Sequence, residues 1–280
     1  MNLTELVQKA IVEDVGRGDI TSLACIPKEQ NCVAEIVAKE DVVVCGHEVA
    51  TEVFRQRGAV YQVMAEEGTF VSKGTVIARI TGNTISVLTG ERLALNFLMR
   101  LCGIATKTYD ITSQLQGSLR VVDTRKTTPL LRELERNAVC VGGGMNHRFA
   151  LYDGILIKEN HILAAGGIVE AIQKCRRSAH HLLKIEIEVE TLEQLAIAID
   201  AGADVIMLDN MNLDMLCRAV SIRNQSEKGE RVLLEASGNM TKERILEMEH
   251  IGIDIVSMGG LIHQATWSDL SLKIRSIGAM

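Results

Sequence analysis

The chain has 280 residues, 47% hydrophobic and 24% charged, with 30 basic against 36 acidic side chains and a formal net charge of −6. That length exceeds the usual single domain of about 150 residues, so a large barrel or two domains are expected, and the composition excludes collagen, coiled coil and disorder. An isoelectric point near 5.7 argues against a chain devoted to nucleic acid or to an anionic membrane, while leaving room for a local basic site.

No stretch approaches the roughly 18 uninterrupted apolar residues of a membrane span, and MNLTELVQKAIVEDVG lacks the basic start and apolar run of a secretory signal. A cytoplasmic protein with neither membrane nor nucleic-acid partners is expected. The seven cysteines, at 25, 32, 45, 102, 140, 175 and 217, are odd in number and form no Cys-x-x-Cys pair, so they read as reduced structural thiols.

The opening predicts an amphipathic helix with Leu3, Leu6, Val7, Ala10 and Ile11 on one face, an Asn2-x-x-Glu5 capping box, and Gly16 and Gly18 as its stop. From Cys32 to Ile80, short β-branched runs such as VAEIVA, DVVVCG and TVIARI alternate with glycines, which predicts mostly antiparallel strands. The run EGTFVSKGTVIARITG at 67–82 resembles a lipoyl-type hairpin but lacks a swinging-lysine tip, so scaffold is the reading. Glu91 to Ile104 predicts an apolar helix leading out of this first domain, with the boundary near residue 105.

Beyond it, short apolar strands alternate with helical stretches, the pattern of parallel βα units. KIEIEV is a strand, Thr191 with Gln194 caps a helix, Gly202 stops it, and DVIMLD is the next strand. GADVIML at 202–208 is echoed by GIDIVSM at 252–258, with DGILI at 153–157 as a third member, and such repetition suggests a barrel. Six strands are predicted at 120–123, 154–158, 185–189, 204–209, 231–237 and 254–258, with a further short one near Val139.

In a βα barrel, functional groups collect at the C-terminal strand ends, which face one mouth. Here those ends read Asp123-Thr124-Arg125-Lys126, Lys158-Glu159-Asn160-His161, Glu188 with Glu190, Asp209-Asn210, Ser237-Gly238-Asn239 and Gly259-Gly260. Arg125, Lys126, His147, Arg148 and Lys158 supply cations and donors, Glu188 and Asp209 supply carboxylates, and the glycine loops supply main-chain N–H groups. Such a set suits a polyanion together with a divalent metal. The segment 120–148 carries six basic against three acidic side chains, although Arg132, Glu133, Glu135 and Arg136 read as the solvated face of a helix.

The motifs DTRKTTP (123–129), GGGMNHR (142–148), LIKENH (156–161), IEIEVE (185–190), IMLDN (206–210) and LEASGN (234–239) closely resemble the quinolinate phosphoribosyltransferase family. The resemblance extends to EDVGRGDIT (13–21) and GERLALNFL (90–98). It implies an N-terminal α/β sandwich over 1–105, an incomplete, seven-stranded α/β barrel over 106–267, and a tail, 268–280, that returns to the first domain. It also implies a homodimer or higher homo-oligomer with shared active sites.

By the same resemblance, quinolinate is held by Arg125, His147, Arg148 and Lys158, with Arg92 reaching in from the neighbouring subunit. Lys126 meets phosphoribosyl pyrophosphate, and Glu188 and Asp209 meet the ribose hydroxyls and Mg²⁺. Ser237, Gly238, Asn239, Gly259 and Gly260 hold the 5′-phosphate, with His263 close by. Lys126, Lys158, Glu188 and Asp209 form the implied catalytic set, and no organic cofactor is needed. Two departures stand out: Phe149-Ala150-Leu151-Tyr152-Asp153 replaces a smaller, glycine-containing stretch, and Ile262-His263-Gln264 replaces a hydroxyl-bearing run. Lys158 is present, whereas the molybdenum-associated paralogues do not keep it. Two further readings are a phosphoribosyltransferase for another ring acid and a silent phosphate sensor; the surplus of cations argues against the first, and the presence of Lys158, Glu188 and Asp209 against the second.

Overall fold

A computed structural model of the chain describes residues 2–278. The predicted capping box forms: Asn2 Oδ1 accepts the Glu5 N–H at 2.8 Å, the Glu5 carboxylate accepts the Asn2 N–H at 3.2 Å, and α1 (Leu3–Val15) follows. Gly16, at φ 50°, turns the chain out of the helix.

Residues 1–109, 128–143 and 264–280 make one compact unit, and 110–127 with 144–263 make a second. The chain therefore crosses between units several times: a boundary near 105 and a return of the tail after 267 were expected, and the excursion of 128–143 into the first unit was not. In the first unit, β1 (Asn31–Ala38), β3 (Val60–Val63) and β5 (Val76–Asn83) join β12 (Leu270–Gly278) in an antiparallel sheet of order β12-β1-β5-β3. The C-terminal tail thus pairs with β1, from Asn31 opposite Gly278 to Ala38 opposite Leu270. Glu35 on β1 takes Arg79 at 3.0 Å and Arg275 at 2.8 Å, which hold its pKa below the usual carboxylate range.

Three elements of this unit depart from expectation. The strand region is interrupted by α3 (His47–Gln56), whose Val49, Ala50, Val53 and Phe54 are buried at helical spacing. The apolar helix is longer than predicted, running as α4 (Thr84–Thr112). Val139, expected in a strand, lies in α5 (Arg132–Val141) with Ala138 and Val139 packed inward. Glu135 and Arg136 on α5 are also buried, not solvated. The Glu135 carboxylate accepts from Arg100 Nε and Nη2 (2.9 and 2.7 Å) and from the N–H and hydroxyl of Thr128 (2.7 and 2.8 Å), which ties 128–143 into the first unit.

The second unit holds a parallel sheet in the order β6 (Arg120–Val122), β11 (Ile255–Ser257), β10 (Leu233–Ser237), β9 (Val205–Asp209), β8 (Ile185–Val189), β7 (Ile155–Ile157). Met145 adds a rudimentary seventh position: it bridges Val122 in parallel, donating to Val121 O at 2.8 Å and accepting from the Asp123 N–H at 3.1 Å. No pairing joins Met145 to β7 among the described residues, so the barrel is incomplete. The helix α8 (Leu192–Asp200) starts on the predicted Thr191/Gln194 box.

The repeated Gly-x-Asp segment has a structural reason. Asp204 Oδ2 accepts the Ile185 N–H at 2.7 Å and pairs with Arg176, while Asp254 Oδ2 accepts the Leu234 N–H at 2.8 Å and pairs with Arg223. Each aspartate pins the start of the neighbouring strand through a main-chain donor. Asp153, the third member, instead accepts the N–H of Phe149. Among the described residues, no helix is long and apolar enough to cross a membrane.

Candidate active site

Side chains alternate along a strand, so residues two apart share a face. Glu186 and Glu188 on β8, Met207 and Asp209 on β9, and Glu235 and Ser237 on β10 therefore make successive layers inside the sheet, and the outermost layer lies at the C-terminal strand ends.

In that outer layer, Lys158 Nζ makes a very short ion pair with Glu188 Oε2. Asp209 stands beside them: burial and the charge of Glu188 push its pKa up, while Lys158, Asn210 and Lys126 pull it down. Glu188 and Asp209 thus crowd two carboxylates at one mouth, and their oxygen donors suit a hard divalent cation. Lys126 reaches the same place, because a Cβ added at Gly259 would meet Lys126 Cδ at 2.9 Å, Thr124 Oγ1 at 3.0 Å and His263 Cδ2 at 3.3 Å. A side chain at Gly259 would press on all three of these groups.

The Ser237 loop is organised by residues that the sequence reading gave no role. Asn210, at φ 55°, donates its N–H to Ser237 O at 2.9 Å and its Nδ2–H to Asp209 Oδ2 at 2.8 Å, and its Oδ1 accepts from Asn239 at 3.2 Å. A Cβ at Gly238 would lie 2.2 Å from Asn210 Oδ1, so that loop needs glycine. Arg244 fastens it from behind through Gly238 O at 3.1 Å and Met211 O. The motif IMLDN contained Asn210, but nothing in a strand pattern signals a left-handed asparagine.

Asp123, wholly buried, accepts the His147 N–H at 2.9 Å and so anchors the segment carrying His147 and Arg148. Arg148 Nη1 donates to Gly154 O at 2.8 Å, and burial together with the nearby Arg125 guanidinium pushes its pKa down. Two guanidiniums drawn together in this way favour an anion. The His147 ring faces inward: Nε2 lies 3.2 Å from Glu186 and 3.5 Å from Glu235. Burial opposes a charge on the ring, and the two carboxylates overcome it, raising its pKa to about 10. The Arg148 N–H donates to Nδ1 at 2.7 Å, a contact that a fully protonated ring would give up.

Below this layer a cavity of about 450 Å³ runs from Arg120 and Lys184, at the N-terminal strand ends, up to His147, Glu186 and Glu235. The hollow reaches His147 and Arg148, whereas Lys126, Lys158, Glu188 and Asp209 do not line it. Arg92 is exposed on α4 in the first unit, and His161 accepts the Lys158 N–H at 3.0 Å. The departing segment 149–153 closes on itself through Phe149 N–H to Asp153 Oδ2 at 2.5 Å and leaves Leu151 and Tyr152 exposed, whereas Ile262 is buried.

Residues 19–102 match the model of the quinolinate phosphoribosyl transferase N-terminal domain and residues 104–273 that of its C-terminal domain. The chain belongs to this family. Members similar to it include the probable carboxylating nicotinate-nucleotide pyrophosphorylase of Bacillus subtilis, 42% identical with 98% of this chain and 94% of that protein covered. The protein of the same description from Synechocystis is 41% identical, covering 96% and 91%. Among solved family structures, that of NadC from Streptococcus pyogenes superposes with a TM-score of 0.92 at 36% identity, covering 99% of this chain and 97% of that one. The N-terminal sheet domain and the barrel-like parallel domain of this family are therefore the fold of this protein.

Proposed function

We propose that the protein transfers the phosphoribosyl group of phosphoribosyl pyrophosphate to quinolinate with loss of a carboxylate, giving nicotinate mononucleotide, pyrophosphate and CO₂ for de novo NAD synthesis. The observation that carries this reading is the sorting of charge at one end of the sheet, within a chain matched along nearly its whole length by one enzyme family. Arg125 and Arg148 lie together, and Lys126 and Lys158 stand with Glu188 and Asp209.

The arginines and Lys158 bind and orient the two acid groups of quinolinate, with His147 beside them. Lys126 holds the diphosphate sugar, while the Ser237-Gly238-Asn239 and Gly259-Gly260 loops, with His263, hold its 5′-phosphate through main-chain N–H groups. As the bond from the anomeric carbon to pyrophosphate breaks, Glu188 and Asp209 stabilise the positive charge growing on the ribose. The pyridine nitrogen takes that carbon, and the resulting pyridinium stabilises the electron pair left on the adjacent ring carbon when CO₂ leaves, a carbon that then takes a proton from solvent. Mg²⁺, held by Glu188 and Asp209, would neutralise the leaving diphosphate.

The protein would act in the cytoplasm as a homodimer, with Arg92 of one copy completing the site of the other. Incubation with quinolinate, phosphoribosyl pyrophosphate and Mg²⁺, with nicotinate in parallel, tests the reading. Equal amounts of nicotinate mononucleotide and CO₂ from quinolinate alone are expected. Product from nicotinate without CO₂ would change the substrate, and no product from either would overturn the enzyme reading.

A further inference from the structure

Two buried carboxylates inside the second unit take no part in the reaction as written above. Glu186 on β8 and Glu235 on β10 are separated by β9, yet both carboxylates meet at His147 Nε2. One ligand atom from each of the three residues lies within 4.8 Å of the other two, a spacing that would also suit a metal ion.

The far side of the ring decides between these readings. Nδ1 accepts the Arg148 N–H at 2.7 Å. A neutral ring accepting there carries its proton on Nε2, and a charged ring carries one on both nitrogens. Either way Nε2 keeps a proton between the two carboxylates. A metal at Nε2 would require that proton to leave and would normally leave Nδ1–H as a donor, which the Arg148 contact opposes.

We propose that Glu186 and Glu235 are positioning residues: they hold the protonated Nε2 of His147 and so set the His147–Arg148 pair for the acid groups of the substrate. This inference rests on the functional reading above. Glu235 is 1% exposed and Glu186 8% exposed, and the second oxygen of each, Oε1, meets no hydrogen-bond donor. Burying two carboxylates with half of their oxygens unmatched is costly, and apolar residues of similar volume would serve a scaffold at least as well. Its use is to the ring. Asp123 fixes the main chain of His147, the carboxylates fix its side chain, and Gly154 O braces the Arg148 guanidinium, so the pair is aimed before a substrate arrives.

The double variant Glu186→Gln/Glu235→Gln keeps both shapes and weakens the hold on Nε2. KM for quinolinate is expected to rise about tenfold, with kcat and the KM for phosphoribosyl pyrophosphate within about twofold. Equal rises in both KM values, a fall in kcat alone, or no change would overturn the proposal. Imidazole ¹⁵N spectra of the unaltered protein, with His147 assigned by comparison with a His147→Asn chain, test the same point without turnover. A protonated Nε2 that is unmoved by Zn²⁺ alone is expected; a bare Nε2, or a His147 signal that shifts with Zn²⁺, overturns the proposal. Absence of turnover in the unaltered protein would remove the functional reading, while the spectra would still report how the carboxylates hold the ring.

Discussion

Charged side chains are used differently in the two compact units. In the first, they close on one another: Glu135 takes four donors from Arg100 and Thr128, and Glu35 is flanked by two arginines. In the second, Asp204 and Asp254 close on arginines in the same way, but at the candidate site like charges are also drawn together, with Arg125 beside Arg148, Glu188 beside Asp209, and Glu186 beside Glu235 with oxygens left unmatched. A complete set of partners holds a chain to itself. Like charges held in proximity cost stability and make sense when something else neutralises them.

That contrast can be broken by substitution. The largest effect is expected for Lys158→Ala, which should lower kcat/KM for quinolinate by about a thousandfold, roughly 4 kcal/mol, while circular dichroism stays unchanged. Unaltered turnover would take Lys158 out of the site. Glu135→Ala strips the buried carboxylate from the half-buried Arg100 guanidinium and from Thr128 and should cost about 2 kcal/mol of stability, read as a lower urea midpoint, with KM for quinolinate unchanged in the protein that remains folded. A midpoint unmoved by that change would contradict the structural role given to the pair.

Asp209→Asn sharpens the contrast, because it should remove activity and add stability. The folded-state pKa of Asp209 is raised, so its protonated form favours the fold; that contribution is present below the unfolded pKa and is lost as pH rises through the folded one. At neutral pH the charged carboxylate is therefore a burden, and asparagine should raise the midpoint by at most about 1 kcal/mol, since solvent screens the group. A lower midpoint would reverse the sign of this argument. Activity of the unaltered protein should likewise fade on the acid side at a pH above that of an ordinary aspartate.

Arg92 is the exception that tests the comparison's boundary, an exposed first-unit cation assigned to a second-unit site in another copy. Mixing Arg92→Ala and Arg125→Ala chains should return a minor fraction of activity that neither shows alone. Verified mixed dimers without rescue would rule out sharing.

Much of this was legible in the residues. The caps at Asn2 and Thr191 are local hydrogen bonds between residues three apart, so their motifs suffice. The charged strand ends were legible because a parallel barrel sends them all to one mouth. Other features were not. The helix at 47–56 sits among β-branched runs, and Val139 belongs to a short apolar stretch that fits either period; burial against the rest of the chain decided both. Arg132 to Arg136 showed helical charge spacing, and only the distant Arg100 turned Glu135 into a buried group.

The chain's own order of residues determined the βα grammar, the family and the identity of the mouth groups, because those depend on periodicity and near-neighbour chemistry. Tertiary structure decided which charges meet. In IEIEV, alternation says that Glu186 and Glu188 share a face, yet not that this face is the inside of the sheet. His147 arrives there from about forty residues upstream of Glu186 and Glu235 from about fifty downstream, brought together by strand order alone. Electrostatic energy depends on distance in space, and sequence spacing does not encode it.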